Sequence, residues 1–541
     1  MKRAITGTVM VACVCILLAG FIAAPSHGSG VPNETYLNKN PVSQADRKII
    51  EDLLAGMDES RTYPLIEITD PLNGALFPVD IAAPEIAWND NNPDSVLWLV
   101  RITFEETTQA LNYIAAEQSW TPHREAWEII KKGASTGGAS IAVLGLDTRK
   151  DAGITGSGSL SIAISPDPVD APLLYMQMPL PFAFTQEHPE MLRWSLADLS
   201  SYEKPPVVLE KMPVCGNCHS FSRNGKVLGM DIDYRGDKGG YFLSNVKKRI
   251  DVAPSDIISW GNCKPSSKTP VTFGFFPKIS PDGSWVIATV EEKSFFIRRN
   301  EPAFSQFFFL AGGELASYSR ADGRFQPLSG ADDPAFVQTA PDWSPDGRYI
   351  IFSRAPVDEK LVALVKNRSL FNVDPDTPLS ELNNRYRIRY DLYRVPFNNG
   401  AGGVPEPVAG ASANGMSNYF ARYSPNGKWI VYCQSENGLA LQPDSRLYII
   451  PAEGGKARKL KANRGVMNSW HSWSPNGKWL VFSSKDRGPF TAFYLCHIDE
   501  AGNDSVPVLL TRLNERNLSN MVPEFGNIAP EALKEIRITE F

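Results

Sequence analysis

Cys215-Gly216-Asn217-Cys218-His219 is the stretch of this sequence where residue type and spacing together specify a chemistry. Two thiols three positions apart reach the two vinyl groups of one porphyrin, and the adjacent imidazole reaches its iron. The five residues therefore match the attachment motif for a single covalent c-type haem, with Cys215 and Cys218 as thioethers and His219 as the proximal iron ligand. The same side chains could serve as a structural disulfide, a redox-active dithiol or half of a zinc site. Zinc requires two further ligands, and the sequence has no second CxxC and no HxxxH. A thioredoxin-like dithiol requires a βαβ setting, which the pattern lacks. One covalent haem c is the expectation.

Such attachment takes place outside the cytoplasm, and the N-terminus points there independently. Lys2 and Arg3 precede an apolar run from about Ala4 to Ala24, followed by the small residues Ser26 and Gly28. This reads as an export signal over residues 1–28, cleaved after Gly28. The rival is an uncleaved anchor helix, since about 20 apolar residues cross a bilayer. Either way a periplasmic or otherwise extracytoplasmic location is expected, with no span beyond that anchor. Of seven cysteines, Cys13 and Cys15 fall in the signal. Cys263, Cys433 and Cys496 are too far apart to suggest a disulfide framework, and the WIVYC and FYLC settings of the last two suit buried thiols.

Composition sets the class of fold. The 541 residues carry a formal net charge of −6 with no Lys/Arg block, so a nucleic-acid partner is not expected. With 42 Pro, 41 Gly and 10% aromatics, many short strands joined by turns are favoured over long helices. Residues 29–60 read as a linker, or as a lone helix over a short amphipathic stretch, Arg47 to Met57. Over 61–165, strand patterns at Ile81 to Trp88, Val96 to Phe104 and Leu160 to Ile164 flank one helical stretch, Pro122 to Lys132. This resembles a small immunoglobulin- or fibronectin type III-like β-sandwich. The proline-rich residues 166–214 cannot form central strands and read as an extended connection. Residues 215–530 form the main domain, and 531–541 a tail.

The main domain is repetitive. Ser280-Pro281-Asp282-Gly283, Ser344-Pro345-Asp346-Gly347, Ser424-Pro425-Asn426-Gly427 and Ser474-Pro475-Asn476-Gly477 each follow an aromatic or apolar residue and precede an apolar strand. Proline sets φ for the first central position of a turn, and Asp/Asn-Gly tolerates the rest. Ser222-Arg223-Asn224-Gly225 is a degenerate copy, and Ser519 to Phe525 matches Ser417 to Tyr423. These repeats resemble those of TolB-like β-propellers, and six copies imply six blades. The last copy supplies only an inner strand, so its outer strands must come from upstream, with 166–214 the candidate. Aligning the copies superposes His219 on His471, where the others have Pro277, Pro341, Ala421 and Pro523. His471 is therefore a candidate distal iron ligand; Met212, Met230, Met416, Met467 or water are alternatives, as is a plain hydrogen bond at the channel rim.

The combination of sandwich, CxxCH and TolB-like repeats resembles a family of exported propeller cytochromes, as do Asn468 to His471 and Pro523-Glu524-Phe525. A more distant resemblance is to the haem-bearing propeller subunit of hydrazine synthase. That subunit has a second haem and this chain a single CxxCH, so its catalytic role does not carry over. The resemblance implies electron transfer or assembly of a redox complex, with a redox partner protein. The alternatives are an enzyme with an open iron site at the channel mouth and a protein-binding propeller with a structural haem. Asp231, Asp233 and Asp237 read as a solvated acidic face, and no GxSxG, HExxH or P-loop pattern occurs.

Overall fold

The computed structural model describes residues 33–39, 43–55, 61–149, 153–212, 216–263, 272–365, 370–438 and 440–538. Cys215, Cys13, Cys15 and the expected export signal lie outside the described residues. Among the described residues no helix is long and apolar enough to cross a membrane.

The serine turns fold by one repeated device. In each, the serine hydroxyl donates to the Asp/Asn side chain two residues on and accepts the backbone N–H that opens the next strand. Ser344 lies 2.7 Å from Asp346 and 2.9 Å from the Tyr349 nitrogen; Ser474 lies 2.6 Å from Asn476 and 3.0 Å from the Trp479 nitrogen. Ser222 makes the same pair with Asn224 and Val227, so the turn survives Arg223 in place of proline. The closing glycines sit at φ of 70–83° (Gly225, Gly283, Gly347, Gly427, Gly477), a region a Cβ disfavours.

Each turn joins an inner strand to the second strand of an antiparallel sheet. The inner strands are Gly216–Phe221, Phe275–Ile279, Phe336–Trp343, Ser417–Tyr423, Asn468–Trp473 and Ser519–Phe525, and each belongs to a different sheet. They touch one another in that order, and the last returns to the first. The result is a mainly β, propeller-like array around a central space. Sheet six is built from both ends of the chain. Its inner strand pairs with Leu173–Met178, followed by Arg193–Ala197 and Val207–Glu210.

Three stretches differ from the sequence expectation. The proline-rich 166–214 does supply the outer strands of the last sheet, as expected, but is not an extended connection: it forms those three strands, because Pro172, Pro179, Pro181, Pro205 and Pro206 fall between them rather than inside them. In the expected linker, strand Asn33–Tyr36 pairs with Gln109–Ala115, and helix Gln44–Ala55 buries Ile50 against Leu99 and Leu144. The tail is tied in by Glu535–Ile538, which pairs in parallel with Arg249–Val252. Residues 61–165 supply a three-stranded sheet and five strands of a six-stranded one that Asn33–Tyr36 completes, with helix Arg124–Ala134 burying Trp127 and Ile130. They share an apolar core with sheets five and six through Trp479, Phe493 and Phe525.

The serine turn gives a direct test. Ser344→Ala removes the acceptor for the Tyr349 N–H and the donor to Asp346, and should cost about 1–2 kcal/mol, read as a lower urea midpoint at unchanged slope.

Candidate functional site

The site is shaped by an irregularity that all six inner strands share. In each, the register with the second strand shifts at the same height. Five of the six place a non-glycine residue there at positive φ: Phe276 56°, Ala340 51°, Phe420 54°, Trp470 40° and Val522 48°. A bulge of this kind re-aims side chains, and here it turns them inward: these five and Cys218, the sixth equivalent, surround one small cavity in the central space. His471 lines it too.

Cys218 also opens on a larger cavity of about 310 Å³, a size typical of cofactor pockets. Its wall is aromatic, from Phe273, Phe275, Phe276, Phe296, Phe308 and Trp470, with the Phe276 and Phe308 rings stacked at 5.6 Å. Met176, Met178 and Met521 add thioethers. A long hairpin, Trp285–Arg298 and Gln306–Ser319, roofs the cavity: Ser305 accepts the Phe182 N–H at 3.1 Å, and the Phe308 carbonyl accepts the Ala440 N–H at 2.8 Å. No residue of the N-terminal sheets reaches it. Burial pushes the Cys218 thiol up to about 12.

His219 and His471 occupy equivalent places. His219 Nε2 donates to the Leu174 carbonyl at 3.3 Å and His471 Nε2 to the Val431 carbonyl at 3.1 Å, each on the second strand of the preceding sheet. A carbonyl only accepts, so Nε2 carries the proton and Nδ1 the lone pair. In both residues Nδ1 is buried with no hydrogen-bond partner. Burial drives the imidazoles down, to about 4 for His219 and about 3 for His471, so both rings are neutral at pH 7. The His219 ring faces neither cavity, whereas Cys218 and His471 share one. Met212, Met230, Met416 and Met467 line neither. Among the described residues no three His, Cys, Asp or Glu side chains gather as a metal site.

The expected solvated face of Asp231 and Asp233, at the end of the second strand of sheet one and just past it, is instead part of the larger cavity's wall. Asp233 pairs with Lys238, while Asp231 Oδ1 has no partner and burial lifts its carboxyl well above the ordinary range. The sequence reading also passed over the aromatic wall. Its signal was the pair of phenylalanine runs, Phe295-Phe296 and Phe307-Phe308-Phe309.

No protein-family model matches this chain, and no curated protein matches it. Solved structures do. An oligogalacturonate lyase in complex with manganese aligns at 16% identity and TM-score 0.34 over 61% of this chain and 72% of that one. A periplasmic gluconolactonase of Pseudomonas aeruginosa aligns at 13% and 0.31 over 62% and 82%. An apocarotenoid oxygenase of Synechocystis aligns at 10% and 0.35 over 85% and 95%. These are β-propeller-like proteins, and the likeness is one of fold alone.

Glu292 makes the cavity sensitive to pH. Its buried carboxylate accepts the N–H groups of Phe273, Gly274 and Phe275 at 3.2, 2.7 and 3.2 Å, and so holds the segment that supplies two wall rings. Burial outweighs those bonds and raises its pKa from 4.5 to about 7. A raised carboxyl binds its proton more tightly in the folded state, so the contribution is full below pH 4.5 and is lost as pH rises through 7. Between pH 5 and 8 the wild type should lose about 2 kcal/mol more stability than Glu292→Gln, measured by urea unfolding at both pH values.

Proposed function

We propose that the chain is an exported mono-haem c-type cytochrome on a six-bladed TolB-like β-propeller, preceded by an immunoglobulin- or fibronectin type III-like sandwich, and that it transfers electrons or helps to assemble a redox complex. One observation carries the reading: Cys218, the second thiol of the CxxCH motif, opens on an apolar cavity of about 310 Å³ walled by aromatic rings. A flat, apolar macrocycle suits such walls, and Arg298 at the same cavity suits one of its carboxylates. Six inner strands touching in cyclic order support the six blades. When bound, the haem would supply a one-electron iron centre.

The chain's own residues have distinct tasks in this reading. Cys215 and Cys218 anchor the group. His219 is the proximal ligand; its ring faces neither cavity, so to serve it must turn and give up the Leu174 carbonyl, and burial keeps the imidazole neutral. His471 is the distal candidate, on the small cavity it shares with Cys218. The roofing hairpin and the phenylalanines exclude water. A second reading, an enzyme with an open iron position, is favoured by Asp231, an acid with an unpartnered oxygen at the same cavity.

Absorption spectra of protein exported with c-type maturation machinery test both. A covalent haem whose low-spin spectrum ignores carbon monoxide supports electron transfer, whereas a high-spin spectrum that shifts with carbon monoxide supports the enzyme. Absence of covalent haem overturns the proposal. Cys218→Ala should leave at most one thioether, visible as a shifted pyridine haemochrome. His471→Ala should move the Soret band; an unmoved band removes that residue from the iron.

A further inference from the structure

Two residues beyond each bulge, the inner strands present a second ring: Ser220, Lys278, Asp342, Arg422, Ser472 and Glu524, around a chamber of about 140 Å³. Glu524 lies 3.3 Å from Lys278 and 3.0 Å from Arg422, and these cations hold its carboxyl down at about 2 despite burial. Arg422 is 4.0 Å from Asp342, whose carboxyl burial raises. Ser220 and Ser472 accept the N–H groups of Ile279 and Phe525, at 3.3 and 3.2 Å, which leaves their hydroxyl protons to donate.

The chamber's outer end is crossed by Arg223. It stands where four other turns have proline, and its guanidinium reaches over the mouth to the carbonyls of Pro345 and Pro425 in sheets three and four. Among the described residues it has no carboxylate partner. Three cations and two hydroxyls thus converge on a space that holds two carboxyls, Glu524 shared between Lys278 and Arg422 and Asp342 beside Arg422, with Arg223 paired to neither.

From this surplus of donors around a small chamber whose mouth Arg223 crosses, we infer that the chamber is a binding site for one small monovalent oxyanion, of the size of formate or nitrite. Lys278, Arg422 and the two serines hold it, and Arg223 caps it. Lys278 and Arg422 border both this chamber and the small cavity that Cys218 and His471 line, while the larger cavity shares no residue with the chamber, and the inference stands whether or not a haem is attached. A charged layer that only pins the strands together would bind no such ion.

The test is calorimetric titration of the exported full-length protein with sodium formate and with sodium nitrite, at fixed ionic strength, with the absorption spectrum followed in parallel. One saturable site per chain is expected, weakened about tenfold or more in Arg223→Pro and in Lys278→Met. Arg223→Pro restores the residue of the other turns and so keeps the fold; Glu524 keeps Arg422 as partner in Lys278→Met. The inference is overturned if neither anion binds, if Arg223→Pro binds as tightly as wild type, or if binding shifts the Soret band, which would put the ion on an iron instead.

Discussion

The organising constraint is the bulge repeated at one height in all six inner strands. A regular strand would send alternate side chains to opposite faces of its sheet and leave the central space lined by whatever the period delivered. The inserted residue breaks that period, and five of the six strands accept a left-handed backbone without glycine, at a cost of about 1 kcal/mol or more each. What is gained is a set of aligned rings. Cys218 and its equivalents encircle one cavity, His219 and His471 turn to the preceding sheet, and the charged residues follow. The chemistry of the molecule is therefore layered along the axis of the central space.

This layering explains what could be read beforehand. The serine turns were legible because their chemistry is local: a hydroxyl, an acid or amide, and a glycine within five residues. Their repetition exposed the inner strands and the equivalence of His219 and His471, which the structure gives the same kind of carbonyl partner. The bulge itself left no trace, since Phe, Ala, Trp and Val at positive φ carry no composition signal. The cavity was hidden for a different reason. Its wall draws on Met176, Asp231, Phe275, Phe308, Trp470 and Met521, residues hundreds of positions apart that only the cyclic contact of the strands assembles.

Prolines misled in one place and informed in another. In 166–214 their density argued against central strands, yet strands need only run between them, and Leu173–Met178 fits in the gap from Pro172 to Pro179 with a partner on each side. In the turns, proline was the more visible mark and the less necessary one. Ser222 builds the same turn with Arg223 beside it, which frees that position for a side chain that reaches across the mouth.

Sheet six also fixes an order of assembly. Leu173–Met178 pairs with Ser519–Phe525, so its hydrogen bonds join residues separated by most of the chain. Contacts of such sequence separation are slow to form, and on a chain delivered from its N-terminus these cannot begin until the last inner strand has emerged. Both partners contribute to the larger cavity, through Met176 and Met178 on one side and Met521 and Val522 on the other. Until that final pairing, Cys218 stands beside an unfinished wall; afterwards it lies half-buried in a completed one. The C-terminal strand is thus the last piece of the wall around this thiol to be set in place.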